Sequence, residues 1–255
     1  MRPQTMSEKK TVRLKIKRQD TPDSKPYWQE FEVPDRENAN VISCLMDIQK
    51  NPVTANSQTV TPVVWECNCL EEVCGSCTMN INGRVRQSCT ALVHQLEQPI
   101  VLEPMKKFPV VRDLAVDRTR MFDNLKKVHA WITIDGSHDI GEGPVISEKQ
   151  RNSAYSLAEC MTCGCCLEAC PQFALDNDFL GASTFSQVRL FNMHPTGAME
   201  KEERLEAVMG KGGIADCGNA QVCVEVCPKN IPLTESIAEI GRQTTWQMVK
   251  NLIFK

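Results

Sequence analysis

Twelve residues constrain this chain more than any other stretch: Cys160-Met161-Thr162-Cys163-Gly164-Cys165-Cys166-Leu167-Glu168-Ala169-Cys170-Pro171. Read from Cys160, the spacing is C-x2-C-x2-C-x3-C-P. Three thiolates two residues apart on a tightly turned loop wrap three corners of one small cube. The fourth leaves on a helix ahead of a proline and points away from that cube. This is a spacing that holds iron–sulfur clusters, and where two such clusters share a chain the fourth cysteine ligates the other one. A defective second copy follows, with Cys217, Cys223 and Cys227-Pro228, and with Ala220 where a full copy would carry another cysteine. The crossover rule then gives one cluster Cys160, Cys163, Cys166 and Cys227, and the other Cys170, Cys217 and Cys223. Four thiolates suit [4Fe-4S]. Three suit [3Fe-4S], because an iron at the Ala220 corner has no protein sulfur to hold it. Structural zinc sites use paired knuckles with four ligands per metal, which is not this pattern.

A second metal signal lies upstream. Cys69, Cys74 and Cys77 form C-x4-C-x2-C, followed by Cys89, the plant-type [2Fe-2S] spacing. Gly75 and Ser76 let backbone amides approach the cluster, where N–H donors tune its potential. The short gap from Cys77 to Cys89 is spanned by a hairpin, Met79 to Val85, with Asn82-Gly83 as its turn, which folds Cys89 back toward the loop. Cys67 lies two residues before Cys69, but only Cys69 fits the spacing.

Fourteen cysteines in 255 residues leave a choice of disulfides, zinc or iron–sulfur. The N-terminal residues carry no apolar signal segment, so the chain is expected in a reducing compartment where thiols stay free for metal. A net charge of −3 with both signs interspersed gives no nucleic-acid footprint. No apolar run approaches the ~20 residues that cross a bilayer.

Residues 1–10 read as a tail without order. Val12, Leu14 and Ile16 alternate with charged residues and predict a strand. Trp28, Phe31 and Val33 predict a second strand, stopped by Pro34. Asn40 to Asn51 predicts a helix with Val41, Ile42, Leu45, Met46 and Ile48 on one face. Thr61 to Trp65 predicts a third strand and Pro99 to Glu103 a last one. Pro104 to Arg112 reads as a link, after which Leu114, Met121, Phe122, Leu125 and Val128 recur at helical spacing. The [2Fe-2S] domain is therefore placed at 11–114 and a helical domain at 115–255, with a loop at Gly136 to Pro144. Helices are expected over Glu148 to Glu159, around Phe185 to Phe191, over Glu200 to Val208 and over Pro232 to Val249. The fold class is α+β.

Three cysteines remain after the cluster sets. Cys44 lies on the apolar face of the first helix and reads as core; Cys165 reads as loop filler; Cys67 has no assigned role. His94, His129, His138 and His194 share no spacing. Trp28, Trp65, Trp131 and Trp246 read as packing residues, Trp246 being the one placed to meet a partner. No dinucleotide or Walker loop is present, and no Ser/His/Asp constellation. Three clusters on one chain with no substrate machinery make an electron wire, fed by a flavin or other donor on another subunit.

The segments Val63 to Cys77, Cys160 to Pro171, Ser186-Gln-Val-Arg-Leu-Phe191 and Cys217 to Pro228 resemble, in order and across essentially the whole chain, the iron–sulfur subunit of succinate dehydrogenase / fumarate reductase (respiratory complex II), closest to the Gram-positive menaquinone-linked type. The resemblance implies an N-terminal β-grasp plant-type ferredoxin domain, followed by an all-α domain like bacterial two-cluster ferredoxins. It implies the same three ligand sets that the spacing gives. It also implies an FAD flavoprotein partner oxidising succinate to fumarate, and a haem b membrane anchor that reduces quinone, of the menaquinone type. The chain would be peripheral, on the cytoplasmic face of the cell membrane. Alternatives are the same role in a quinol:fumarate reductase, or a freestanding soluble multi-cluster ferredoxin. In ubiquinone-linked relatives aromatic residues follow the Cys-Pro and a His follows the first three-iron ligand. Here Ala174, Leu175 and Gly218 stand there, so the quinone contacts do not carry over.

Overall fold

The structure, a computed structural model, describes residues 11–133 and 145–254. The N-terminal tail, the Gly136 to Pro144 loop and His138 lie outside the described residues. The chain divides into two compact units, one running to Asp117 and the other from Arg118.

In the first unit the period-2 pattern forms β1 (Thr11–Arg18), with Val12, Leu14, Ile16 and Arg18 buried on one face. It pairs antiparallel with β2 (Tyr27–Pro34), Leu14 opposite Phe31. The helix α1 (Val41–Lys50) begins at Asn40, whose side chain accepts from Ser43 N while Ser43 Oγ takes the Asn40 amide. This reciprocal cap satisfies two otherwise orphaned donors. Ile42, Leu45 and Ile48 face the sheet and are almost completely buried. Each such side chain contributes about 1.5–3 kcal/mol. Cys44 is buried with them, as core.

The hairpin forms as β3 (Thr78–Ile81) and β4 (Arg84–Gln87). Asn82 and Gly83 sit at φ +49° and +78°, the left-handed pair that matches the twist of a two-residue turn. The strand β5 (Ile100–Glu103) lies parallel to β1 and antiparallel to β3, so the sheet order is β2-β1-β5-β3-β4. A small two-stranded sheet follows, β6 (Val110–Arg112) with β7 (Ala115–Val116).

Several expectations are corrected. Thr61 to Trp65 is no strand. Pro62 has no N–H for a ladder, and the Thr61 and Pro62 carbonyls accept instead from the Arg18 guanidinium at 3.2 and 3.4 Å. Leu114 precedes β7 and is not helical; its N–H donates to Val64 O. Pro104 to Arg112 is not merely a link, since it contains β6. Three of the four tryptophans are not packing residues: Trp28, Trp131 and Trp246 are exposed, and only Trp65 packs against the core. Trp28 lies on the outward face of β2, with the Lys15 ammonium 5.4 Å above its ring.

In the second unit the described residues form α2 (Thr119–Lys127), α3 (Glu148–Ala158), α4 (Cys165–Ala169), α5 (Ala182–Met193), α6 (Lys201–Met209), α7 (Val222–Glu225) and α8 (Leu233–Phe254). The last helix runs past Val249 because nothing in Met248 to Phe254 breaks it; its end exposes Leu252, Ile253 and Phe254. Helix α5 packs on α8 and α3, burying Phe185 and Val188. A fully buried Arg204 on α6 satisfies the carbonyls of His129, Trp131 and Gly197 at 2.8, 2.7 and 2.5 Å. It thereby ties the end of α2 and the approach to α6 into one core.

Candidate metal centres

Apart from Cys44, the cysteines gather into three groups, each built on an irregular loop held by regular elements. In the first unit, Cys77 stands at the entrance to β3 and Cys89 just beyond the exit of β4. The strands pair Thr78 with Gln87, and Ser88 N and Oγ both donate to Cys77 O, at 3.2 and 2.8 Å. The hairpin therefore returns Cys89 to Cys77. The Cys69–Cys74 loop curls over itself: Cys69 Sγ accepts from the amides of Glu71, Val73 and Cys74 at 3.3–3.4 Å, and Cys74 Sγ from Cys69 N at 3.5 Å. Thr90 Oγ1 donates to Glu72 Oε1 at 2.8 Å, fastening this loop to the segment after Cys89. Burial pushes the Cys74 thiol up, but hydrogen bonds from Cys69 and Ser76 outweigh it and hold it at about 6. Burial and the Cys77 side chain push Cys89 up to about 12. Burial also raises Cys67, aided by Cys74, Cys89 and Cys69, so Cys67 borders the same group.

In the second unit, one cavity of about 410 Å³, counting the space it shares with solvent, is lined by Cys160, Cys163, Cys165, Cys166 and Cys227. Another, of about 380 Å³, is lined by Cys170, Cys217 and Cys223. The short helix α4 separates Cys166 from Cys170, and α7 separates Cys223 from Cys227, so each run sends its last cysteine into the cavity of the other. Cys227 thus lines the same cavity as the first run, with Cys165 beside it, and Cys170 lines the other with Cys217 and Cys223. A hydrogen bond from Cys165 holds the Cys163 thiol down, at about 7. Burial raises Cys166 well above the ordinary thiol range, against a hydrogen bond from Ser183; burial likewise raises Cys160, against Gln187. Ser183 and Gln187 stand one turn apart on α5, which therefore presents two donors to this cavity. Neither was singled out from sequence, where nothing marks a serine or glutamine as aimed at sulfur.

The loops share a backbone signature that sequence also missed. Among the described residues eleven non-glycine positions have positive φ, and five lie in the cysteine loops: Leu70, Glu72, Thr162, Asn219 and Gln221. Left-handed backbone costs an L-residue about 1–2 kcal/mol, and turns of this kind aim successive N–H groups inward at an anion.

The donor chemistry fits iron–sulfur clusters. Among the described residues no three His, Cys, Asp or Glu side chains are grouped tightly enough to hold a single metal ion. Four thiolates on one zinc stand about 3.8 Å apart, from Zn–S bonds of about 2.3 Å. In the second unit the sulfurs instead line two cavities that open in part to solvent. Cys74 and Cys163 offer thiolate near neutral pH, the form that binds metal.

Two family profiles match the chain: a 2Fe-2S iron–sulfur cluster binding domain over residues 13–123, and a 4Fe-4S dicluster domain over residues 156–231. The chain is 63% identical over 246 residues to the succinate dehydrogenase iron–sulfur subunit of Bacillus subtilis, covering 96% of this chain and 97% of that one. It is 30% identical to the fumarate reductase iron–sulfur subunit of Wolinella succinogenes, covering 86% and 90%. Among solved structures, a chain of the Mycobacterium smegmatis Sdh1 complex in the apo form shares the fold, with TM-score 0.76 and 23% identity over 92% of this chain and 95% of that chain. No described helix is long and apolar enough to cross a membrane.

Proposed function

The chain belongs to the iron–sulfur subunits of succinate dehydrogenase and fumarate reductase, and from that premise we propose that it is the electron-transfer subunit of a succinate:quinone oxidoreductase. Its ligand sets are Cys69, Cys74, Cys77 and Cys89 for [2Fe-2S]; Cys160, Cys163, Cys166 and Cys227 for [4Fe-4S]; and Cys170, Cys217 and Cys223 for [3Fe-4S]. The first unit is a β-grasp ferredoxin and the second a two-cluster ferredoxin-like helical domain. When bound, the clusters supply one-electron chemistry at potentials set by ligands and surroundings. The residues of this chain do the rest. The hairpin β3–β4 holds Cys77 and Cys89 in register. The loop amides of Glu71, Val73 and Cys74 stabilise negative charge on Cys69, and the α5 donors Ser183 and Gln187 do the same for Cys166 and Cys160.

The observation that supports this reading is the lining of two cavities, one by Cys160, Cys163, Cys166 and Cys227 together with Cys165, the other by Cys170, Cys217 and Cys223 beside Ala220. The chain takes electrons from the FAD of a flavoprotein that oxidises succinate. It delivers them to a haem b membrane anchor that reduces menaquinone, at the cytoplasmic face of the membrane. The greater identity to a succinate dehydrogenase subunit than to a fumarate reductase subunit favours succinate oxidation.

Low-temperature EPR of the anaerobically purified native complex tests this. The expected result is a three-iron signal as isolated, replaced by a reduced two-iron signal on adding succinate. Clusters that respond to dithionite and not to succinate would remove the succinate assignment.

A further inference from the structure

Gln172 follows Cys170-Pro171, and its side chain lines the three-cysteine cavity beside Cys217, Gly218 and Ala220. Its carboxamide occupies the space above Gly218. A methyl group on Gly218 would fall 2.6 Å from Gln172 Nε2 and 3.3 Å from Cδ, so the amide end of that flexible side chain would move aside. The bare Gly218 lets the Gln172 amide lie where it does.

The loop that carries Gln172 is held from two sides. Asn177 Nδ2 donates to Gln172 O at 2.7 Å. Arg120 on α2 donates to the carbonyls of Ala174, Asn177 and Phe179 at 2.5, 2.6 and 3.1 Å and stacks 4.0 Å over Phe173. The backbone is fixed, yet among the described residues the Gln172 carboxamide itself has no hydrogen-bond partner. Gln172 is exposed at the rim of this thiolate-lined cavity, so its carboxamide can turn from solvent toward a ligand held inside.

We propose that Gln172 donates its amide N–H to the sulfur of the three-iron cluster and raises that cluster's reduction potential, and that Gly218 serves by leaving room for it. This rests on the three-iron reading above. Reduction adds an electron to the cluster, and a donor to its sulfur stabilises the more negative form. Neither residue is a ligand; Gly218 stands where ubiquinone-linked relatives carry a His, and Gln172 directly follows Cys170-Pro171.

The test is a redox titration followed by low-temperature EPR on membranes containing the assembled complex, comparing wild type, Gln172→Leu, Gly218→Ala and the double variant. Gln172→Leu keeps the approximate volume and removes the donor. At the wild-type midpoint its reduced-to-oxidised ratio for the three-iron cluster falls about tenfold, a shift of about 59 mV for one electron. Gly218→Ala displaces the amide and lowers the potential by a similar amount. The double variant goes no lower than either single, because both remove the same contact. The two-iron and four-iron midpoints stay in place, which separates this effect from loosened folding. An unchanged three-iron midpoint in Gln172→Leu, with the signal intact, overturns the inference; so do additive shifts in the double variant. A wild-type complex with no three-iron signal at all overturns the cluster reading itself.

Discussion

Replacing Arg18 by Met tests what holds the segment leading into the two-iron loop. Arg18 and Asp113 are both fully buried, with Nε donating to Oδ1 at 2.8 Å. The guanidinium also bonds Gln29 Oε1 at 2.6 Å and the carbonyls of Thr61 and Pro62. The carboxylate in turn accepts from Gln19 N at 3.1 Å and Val64 N at 2.9 Å. Met fills much of the arginine volume but leaves a buried carboxylate without its cation. Breaking a buried pair from one side costs about 3–5 kcal/mol. The two amide donors that remain on Asp113 argue for the lower end, about 3 kcal/mol, or roughly 100-fold in an opening equilibrium. Hydrogen–deuterium exchange of the Val64 amide in the purified complex reads that opening and should accelerate by about two decades. Adding Asp113→Asn to Arg18→Met removes the stranded charge and should slow the exchange again. Exchange within a few-fold of wild type in Arg18→Met would refute the reasoning. So would an additive worsening in the double variant, since it would mean that the two charges do not depend on each other.

The cysteine assignments yield sharper contrasts. Ala220→Cys supplies a fourth thiolate to the three-cysteine cavity and should convert the three-iron EPR signal to that of a four-iron cluster of lower potential; an unchanged three-iron signal in a folded variant would contradict the geometry. Cys170→Ser should damage the three-iron signal and spare the four-iron one, although Cys170 follows Cys166 by one helical turn; loss of the four-iron signal alone would reverse the crossover. Cys69→Ser should strip or perturb the two-iron spectrum while Cys67→Ser leaves it unchanged. The opposite result would make Cys67 the ligand.

The parts of the fold visible in the sequence were those in which a local pattern and the tertiary structure agree. The alternation in Val12–Ile16, the apolar face of α1 and the Asn82-Gly83 turn each fix an element by themselves. The spacing of the cysteines points to their grouping for the same reason: short loops leave few ways to distribute thiolates. What stayed hidden depends on partners far along the chain. Thr61 to Trp65 has strand-like residues, but its carbonyls are claimed by Arg18, some 43 and 44 positions away. Leu114 fits a helical period, yet Asp113 at φ +48° turns the chain so that its carboxylate meets Arg18. Trp28 and Trp246 follow the usual bias of aromatic residues toward interiors, and nothing local reveals that their faces point outward. Gln172 and Gly218 are 46 residues apart by number, and each is ordinary until the other is seen beside it.

The two cavities of the helical unit differ in a way that sets a direction for electrons. The cavity that holds Cys160, Cys163, Cys166 and Cys227 has buried Met121, Ile231 and Leu233 in its lining, and Cys163 and Cys166 are themselves buried. The three-cysteine cavity is bordered by the exposed run Gly218 to Gln221 and by exposed Gln172. Adding an electron to a cluster in apolar surroundings is penalised by the loss of solvation, whereas solvent and amide donors stabilise the same charge. The four-iron midpoint should therefore lie below the three-iron midpoint, so that an electron passing between them moves downhill toward the exposed cavity. A gap of about 59 mV favours that transfer tenfold. One redox titration measures both clusters in the same sample, and a four-iron midpoint at or above the three-iron one would show that ligand number or net charge outweighs burial here.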